Sequence, residues 1–329
     1  MSLHRRELLL GGGTAAVALA AALLGSTFAA CAQQTYPAKP ITVIVPEVPG
    51  SAADLMGRII GQALGQSFGQ SVNFENLFLE AGIEKGIIAA PDGYTLIYGS
   101  SGNLALLPHV QKVTFDPLKD LTPVARFVIQ PTLIAANAAL QVKSLQDLVA
   151  MMKANPGKLR MSTAGAGTAG HFAGEMFIKM AGVEPEVVNY KGGGPAIEAV
   201  VSGDSQWTVA PTGGRVPYIK SGKLKALAIG GTSRLAMLPE VPTVAEAGYP
   251  GYDAVGWGAI FVPNGIPQPI IDKLAATIAK VVAQPEVKKQ FEEQGTEPAA
   301  SSQAEMAKIL KDEYARLGTL AKSLGLSVN

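Results

Sequence analysis

The hexad Gly165-Ala166-Gly167-Thr168-Ala169-Gly170 is the sharpest chemical signal in the chain. It follows an apolar run over 159–163 that reads as a strand. It opens a helical pattern that carries Phe172, Met176, Phe177 and Met180. Glycines at such a place let a ligand approach the backbone, and free amides at a helix N-terminus favour negative charge. The spacing is that of the dinucleotide fingerprint, which belongs near the start of its domain; this copy does not lie there. A carboxylate suits the site as well as a pyrophosphate does, and a purely structural glycine turn is the third reading.

A matching feature lies upstream. Pro46-Glu47-Val48-Pro49-Gly50-Ser51 links the apolar run 41–45 to a helix beginning near Ala52, and Ser51 and Asp54 have capping-box spacing. Two helix starts, Ser51 and Thr168, would then point into one cleft at the strand ends, where open α/β sheets bind ligands. Glu47 is acidic where an anion should sit. Two like charges in a poorly hydrated cleft repel, so either Glu47 turns to solvent or the ligand brings a hydrogen-bond donor.

A catalytic constellation is hard to assemble from what remains. No serine sits in G-x-S-x-G, no H-E-x-x-H marks a metal, and beyond the leader only His109 and His171 are histidines. No enzyme activity, metal or cofactor is expected. His171, one turn into the glycine-rich helix, is a candidate ligand contact whose plainer role is to support the loop or face solvent. Tyr190 and Trp257 could stack on a planar ligand, or Trp257 could simply pack at a hinge. Lys191-Gly192-Gly193-Gly194-Pro195 reads as a further loop of backbone donors or as a plain turn.

Short apolar runs alternating with helical patterns predict α/β layers with parallel sheets. Strands are expected over 41–45, 94–98, 159–163, 187–190 and 225–229, and C-terminal helices over 270–282 and 303–323. Two apolar stretches, 124–137 and 252–263, are too long for ordinary strands and suit a pair crossing between domains. The expected architecture is a two-lobed α/β fold with two sheets joined by a two-strand hinge. Its first domain comprises 33–131 and 256–329, and its second 132–255. Closure about such a hinge is a standard switching mode.

The N-terminus has the layout of an export signal. Arg5 and Arg6 precede an uncharged, Gly/Ala-rich run that ends in Ala30-Cys31-Ala32. The paired arginines point to a twin-arginine signal over 1–32, with a mature chain starting at Gln33. A lipidated Cys31 and an uncleaved anchor are the alternatives. Cys31 is the single cysteine among 329 residues, so no disulfide is available. With 27 basic and 26 acidic residues there is no basic excess to grip nucleic acid.

These motifs resemble the Bug receptors, the solute-binding proteins of tripartite tricarboxylate transporters. The resemblance runs along nearly the whole mature chain: YPAKPI at 36–41, VPEVPG at 45–50 with Asp54, APDGYTL at 90–96, FDPLKD at 115–120, AGTAGHFAGE at 166–175, YKGGGPA at 190–196, GKLKALA at 222–228 and LPEVPTVAEAG at 238–248. It implies a venus-flytrap periplasmic binding protein, expected as a monomer. Such a receptor captures a small organic acid by backbone amides and waters and delivers it to membrane permease subunits; a ligand sensor for a signalling partner and an exported α/β hydrolase are the rival roles. It places the contacts around Glu47, Val48, Gly50 and Ser51, at Ser100 and Ser101, at Gly165, Ala166, Gly167 and Thr168, at Tyr190, Gly192 and Gly193, and at Pro211 and Thr212.

Three departures alter the pocket. Glu47 and Ser51 stand where the family usually has an uncharged residue and a glycine. Leu77-Phe78-Leu79-Glu80 replaces an Arg-Pro-Gly loop. Gly203-Asp204-Ser205-Gln206, followed by Trp207, replaces Gly-Gln-Val-Asp. Phe78 and Trp257 lean the expected ligand toward an aromatic acid of terephthalate-like or nicotinate-like shape.

Overall fold

A strand of β-branched residues between two prolines is the first element, β1 (Ile41–Val45). The computed structural model describes residues 36–328; the expected export signal over 1–32 and Cys31 lie outside them. Ser51 then caps α1 (Ala52–Phe68), its Oγ accepting from Asp54 N at 3.2 Å, and Gly69 closes that helix in the left-handed region. β2 (Val72–Asn76), α2 (Glu80–Ile87) and β3 (Thr95–Ser100) complete a parallel trio in the order β2-β1-β3.

A π-helical turn, Ser101–Leu106, runs into the short α3 (Leu107–Val110). β4 (Leu121–Asn137) follows, a strand of 17 residues and so about 55 Å long at ~3.3 Å per residue. Its first part pairs with β9 (Val255–Pro263) up to Pro131↔Val255; from Thr132 onward it pairs with other strands. Those are β7 (Trp207–Pro211) and β8 (Leu224–Ile229), with β5 (Arg160–Thr163) and β6 (Glu186–Asn189) beyond β7. A two-residue β10 (Glu297–Pro298) also pairs with β4.

The helices around the second set are α4 (Leu145–Ala154), α5 (Ala169–Ala181), α6 (Gly193–Ser202) and α7 (Val216–Lys220). Three more close the chain: α8 (Gln268–Val282), α9 (Pro285–Glu293) and α10 (Gln303–Leu324).

The expectation of parallel sheets holds only for the outer strands. β3–β9, β4–β9, β4–β7 and β4–β8 are all antiparallel, because the chain crosses along β4 and returns along β9. The stretch 252–263 is strand only from Val255. Tyr252 instead buries its ring and donates its hydroxyl to Ala173 O at 3.0 Å.

Each sheet has its own core. Trp207, Phe177 and Met161 centre one; Leu104, Phe261 and Trp257 centre the other. Leu320 and Leu324 of α10 pack against both. Among the described residues no helix is long and apolar enough to cross a membrane.

Candidate functional site

One cavity of about 120 Å³ takes its lining from both sheets. Ser51, Ala52 and Ala53 at the start of α1, and Thr168, Ala169 and Gly170 at the start of α5, contribute the two helix starts. First-turn amides have no intrahelical partner, so both starts present donors to the cavity. Thr168 builds its own turn: its hydroxyl donates to Gly165 O at 2.8 Å and accepts from His171 N at 3.4 Å.

Of the residues picked from sequence, Glu47, Ser51, Ser100, Ser101, Gly167, Thr168, Gly193, Pro211 and Trp257 line this cavity. The others lie outside the lining. Val48 covers Gly192 so closely that a Cβ there would lie 2.4 Å from Val48 Cγ2, and Gly192 N donates to Ala164 O. Gly50 N donates to Asp54, and Gly165 N to Thr163 Oγ1. Ala166 O accepts from Gln111 Nε2 at 2.7 Å. Thr212 donates to Gly295 O at 2.7 Å, and Tyr190 Oη lies 3.3 Å from Ser205 Oγ. His171 stands beside Glu175, and burial holds its ring below the ordinary histidine pKa, so it is neutral and accepts from Gly167 N.

Asp54 does not complete the capping box on Ser51. It accepts from Gly50 N at 2.9 Å, Arg58 Nε at 3.0 Å and Asn76 Nδ2 at 3.0 Å. Burial would raise its pKa, but Arg58, Gly50 and Asn76 outweigh burial and hold it below the ordinary range. Asp54→Ala removes the acceptor that Gly50, Arg58 and Asn76 share, and a hydrogen bond to a charged group contributes about 1.5–3 kcal/mol. The expected melting temperature falls by roughly 2–6 °C. The difference should vanish as the pH drops through the carboxylate range, where the parent's Asp54 is itself protonated. A melt unchanged at neutral pH would show that the loop does not depend on Asp54.

Among the polar lining residues that went unread in the sequence are Tyr98, Gln130, Arg215 and Glu313. Tyr98 donates to Gln130 Oε1 at 3.1 Å. Trp257 Nε1 donates to Glu313, while Trp257 N donates to Ser101 Oγ at 2.9 Å; Trp257 is therefore a packed wall of the cavity. Arg215 is 5 % exposed, ahead of α7, and gives Nη1 to Gly213 O at 2.9 Å. No local pattern marks a buried arginine between two glycines and a five-residue helix.

Glu47 does not turn to solvent. Its Oε2 is buried without a hydrogen-bond partner, as are Gln130 Nε2 and Arg215 Nε. Burial pushes the Glu47 carboxyl up to about 7, and the Val48 amide and the Arg215 charge offset this only in part. Burial lowers Arg215 to about 10, which leaves it cationic at neutral pH. Phe78 is 41 % exposed and lies outside the lining. Among the described residues no cluster of His, Cys, Asp and Glu could hold a metal ion.

The model of the tripartite tricarboxylate transporter family receptor matches residues 56–326. The chain belongs to this receptor family. BugT of Bordetella pertussis is 32% identical over 88% of this chain and 91% of its own. A Rhodopseudomonas palustris protein solved with adipate is 30% identical, with a TM-score of 0.86 over 89% of this chain and 99% of that one. MatC from the same organism, solved with malate, is 29% identical with a TM-score of 0.80 over 87% and 99%. Receptors of this family are solute-binding proteins, not enzymes, and the two-lobed α/β fold described above is that of periplasmic binding proteins.

Proposed function

We propose that this receptor works in the periplasm as a monomer. It captures a small organic carboxylate between its lobes and delivers it to the membrane subunits of a tripartite tricarboxylate-type transporter. The observation that carries the reading is the pair of capped helix starts, Ser51 and Thr168, that line one cavity. Aligned first-turn amides favour an anion there without a charged side chain.

The adipate and malate held by the two solved relatives support a carboxylate. An aromatic acid now rests on Trp257 alone. We place the lobe boundaries where β4 changes partners, giving 33–131 with 256–329, and 132–255. A ligand bridging the two helix starts would hold the lobes closed.

Calorimetry with a free acid and its methyl ester tests the reading. The acid should bind at least tenfold tighter, about 1.4 kcal/mol. Equal binding of the ester would remove the helix-terminus mechanism.

A further inference from the structure

Four polar atoms in the cavity wall have no hydrogen-bond partner, and two of them belong to ionisable side chains of opposite sign. Glu47 Oε2 and Arg215 Nε are both buried and unpaired. Glu47 stands after β1, and Arg215 comes from the 213–215 turn that follows β7. Arg215 Nη2 and Ser51 Cβ both lie 3.8 Å from where a Cβ of Gly193 would stand, which puts the guanidinium beside the start of α1. Gln130 Nε2 is a further free donor, its amide fixed by the Tyr98 hydroxyl that donates to Oε1, and Thr132 Oγ1 is the fourth free atom. Buried polar groups are otherwise satisfied almost without exception, so free atoms converging on one cavity mark where a ligand group belongs.

The chemistry of that group follows from the donors. An arginine Nε–H and an amide N–H2 ask for an acceptor. A ligand carboxylate meets that need but would face an ionised Glu47 at close range, which like charges in a dry site forbid. The conflict disappears when Glu47 carries a proton, because the neutral carboxyl is itself a donor.

We propose that Glu47, as a neutral acid, and Arg215 together form a second carboxylate site, so that the ligand is a dicarboxylate and its capture takes up one proton. The proposal rests on the receptor reading above and assigns the ligand's second acidic group. The balance is one dianion, one ionised Glu47 and one proton from solvent giving a complex of dianion and protonated Glu47. The elevated Glu47 pKa supports this, because the proton is then available near neutrality. The charged and titratable groups acting on Glu47 are Arg215 and, from β3, Tyr98. Asp54, one turn into α1, is engaged by Arg58, Gly50 and Asn76. Asp253, Glu313 and Arg316 line the same cavity, and Glu313 is bonded to Trp257 and Arg316.

The experiment is calorimetry on the purified protein with succinate, glutarate and adipate, their half-amides, and a set of aliphatic and aromatic monoacids. It is run at pH 6 and pH 8 in buffers of different ionisation heat. At pH 8 a diacid should take up close to one proton and bind about tenfold more weakly than at pH 6, since the cost of protonating a group near 7 grows tenfold per pH unit. Glu47→Gln, which presents a permanent donor, should bind the diacid with no proton uptake and equal affinity at both pH values. Arg215→Met should lose at least a hundredfold, with the fold checked by circular dichroism. Diacid binding at pH 8 without proton uptake overturns the proposal, as does half-amide binding as tight as diacid binding. Capture of monoacids but of no diacid overturns the proposal and leaves the receptor reading standing. Failure of every carboxylate overturns both.

Discussion

Gly167→Val should abolish ligand capture while the protein still folds. Gly167 sits in the left-handed region at φ +79°, which a β-branched residue rarely adopts. Space is lacking as well. A Cβ there would stand 2.8 Å from Gln111 Nε2 and 3.1 Å from Val110 Cγ2. Gln111 Nε2 is the group that ties Ala166 O from the segment after α3, so the new side chain wedges apart the two walls that meet over the cavity. The loop that aims the first amides of α5 would be displaced at its hinge residue. The expected loss of affinity is at least a hundredfold, about 2.8 kcal/mol. The circular dichroism spectrum should be unchanged, because Gly167 lies outside both cores. Calorimetry on a dicarboxylate that binds the parent decides it; affinity within threefold of the parent would show that the glycine loop is not part of the site.

Glu47→Gln should stabilise the empty protein at alkaline pH and leave it unchanged in acid. The Glu47 carboxyl titrates near 7 when folded, against an ordinary value of 4.5. Between those values the folded state holds the proton more tightly than the unfolded state does. Stability therefore falls as the pH rises through this window, and the full penalty is present above about 7. A shift of this size corresponds to about 3 kcal/mol at ~1.36 kcal/mol per pH unit. Glutamine resembles the protonated acid in shape and carries no charge, so the variant escapes the penalty. At pH 8 its melting temperature should exceed the parent's by roughly 5 °C, and at pH 4 the two should coincide. Identical melts at pH 8 would mean that Glu47 is solvated in the free protein.

Much of this receptor was readable without coordinates because the signals are local. β1 lies between two prolines, α1 begins at a serine that caps it, and α5 begins at Thr168 after a glycine loop. Each depends on neighbours within about four residues, the range over which caps and turns act. The order of such motifs along the chain was enough to indicate the family. The long apolar stretch 124–137 also marked most of β4, whose 17 residues pair with both sets of strands, whereas the stretch 252–263 yielded β9, which pairs only with β3 and β4.

Only the tertiary structure decided what faces the ligand. Arg215 reads as a surface arginine ahead of a short helix, yet the return of the chain after β7 buries it in the same wall as Glu47, 168 positions earlier. Gln130 and Tyr98 meet across two strands, β4 and β3, that are not even neighbours, with β9 between them. Glu313 lies on α10, whose polar pattern suggests solvent, but the packing of that helix against the π-helical turn brings it under Trp257. The sense of the Glu47 side chain, outward or inward, depended on what covered it and so on residues far away in sequence. Helix starts are determined by the chain nearby, whereas burial, and with it the protonation state of a carboxyl group, is determined by whichever distant segment packs over it.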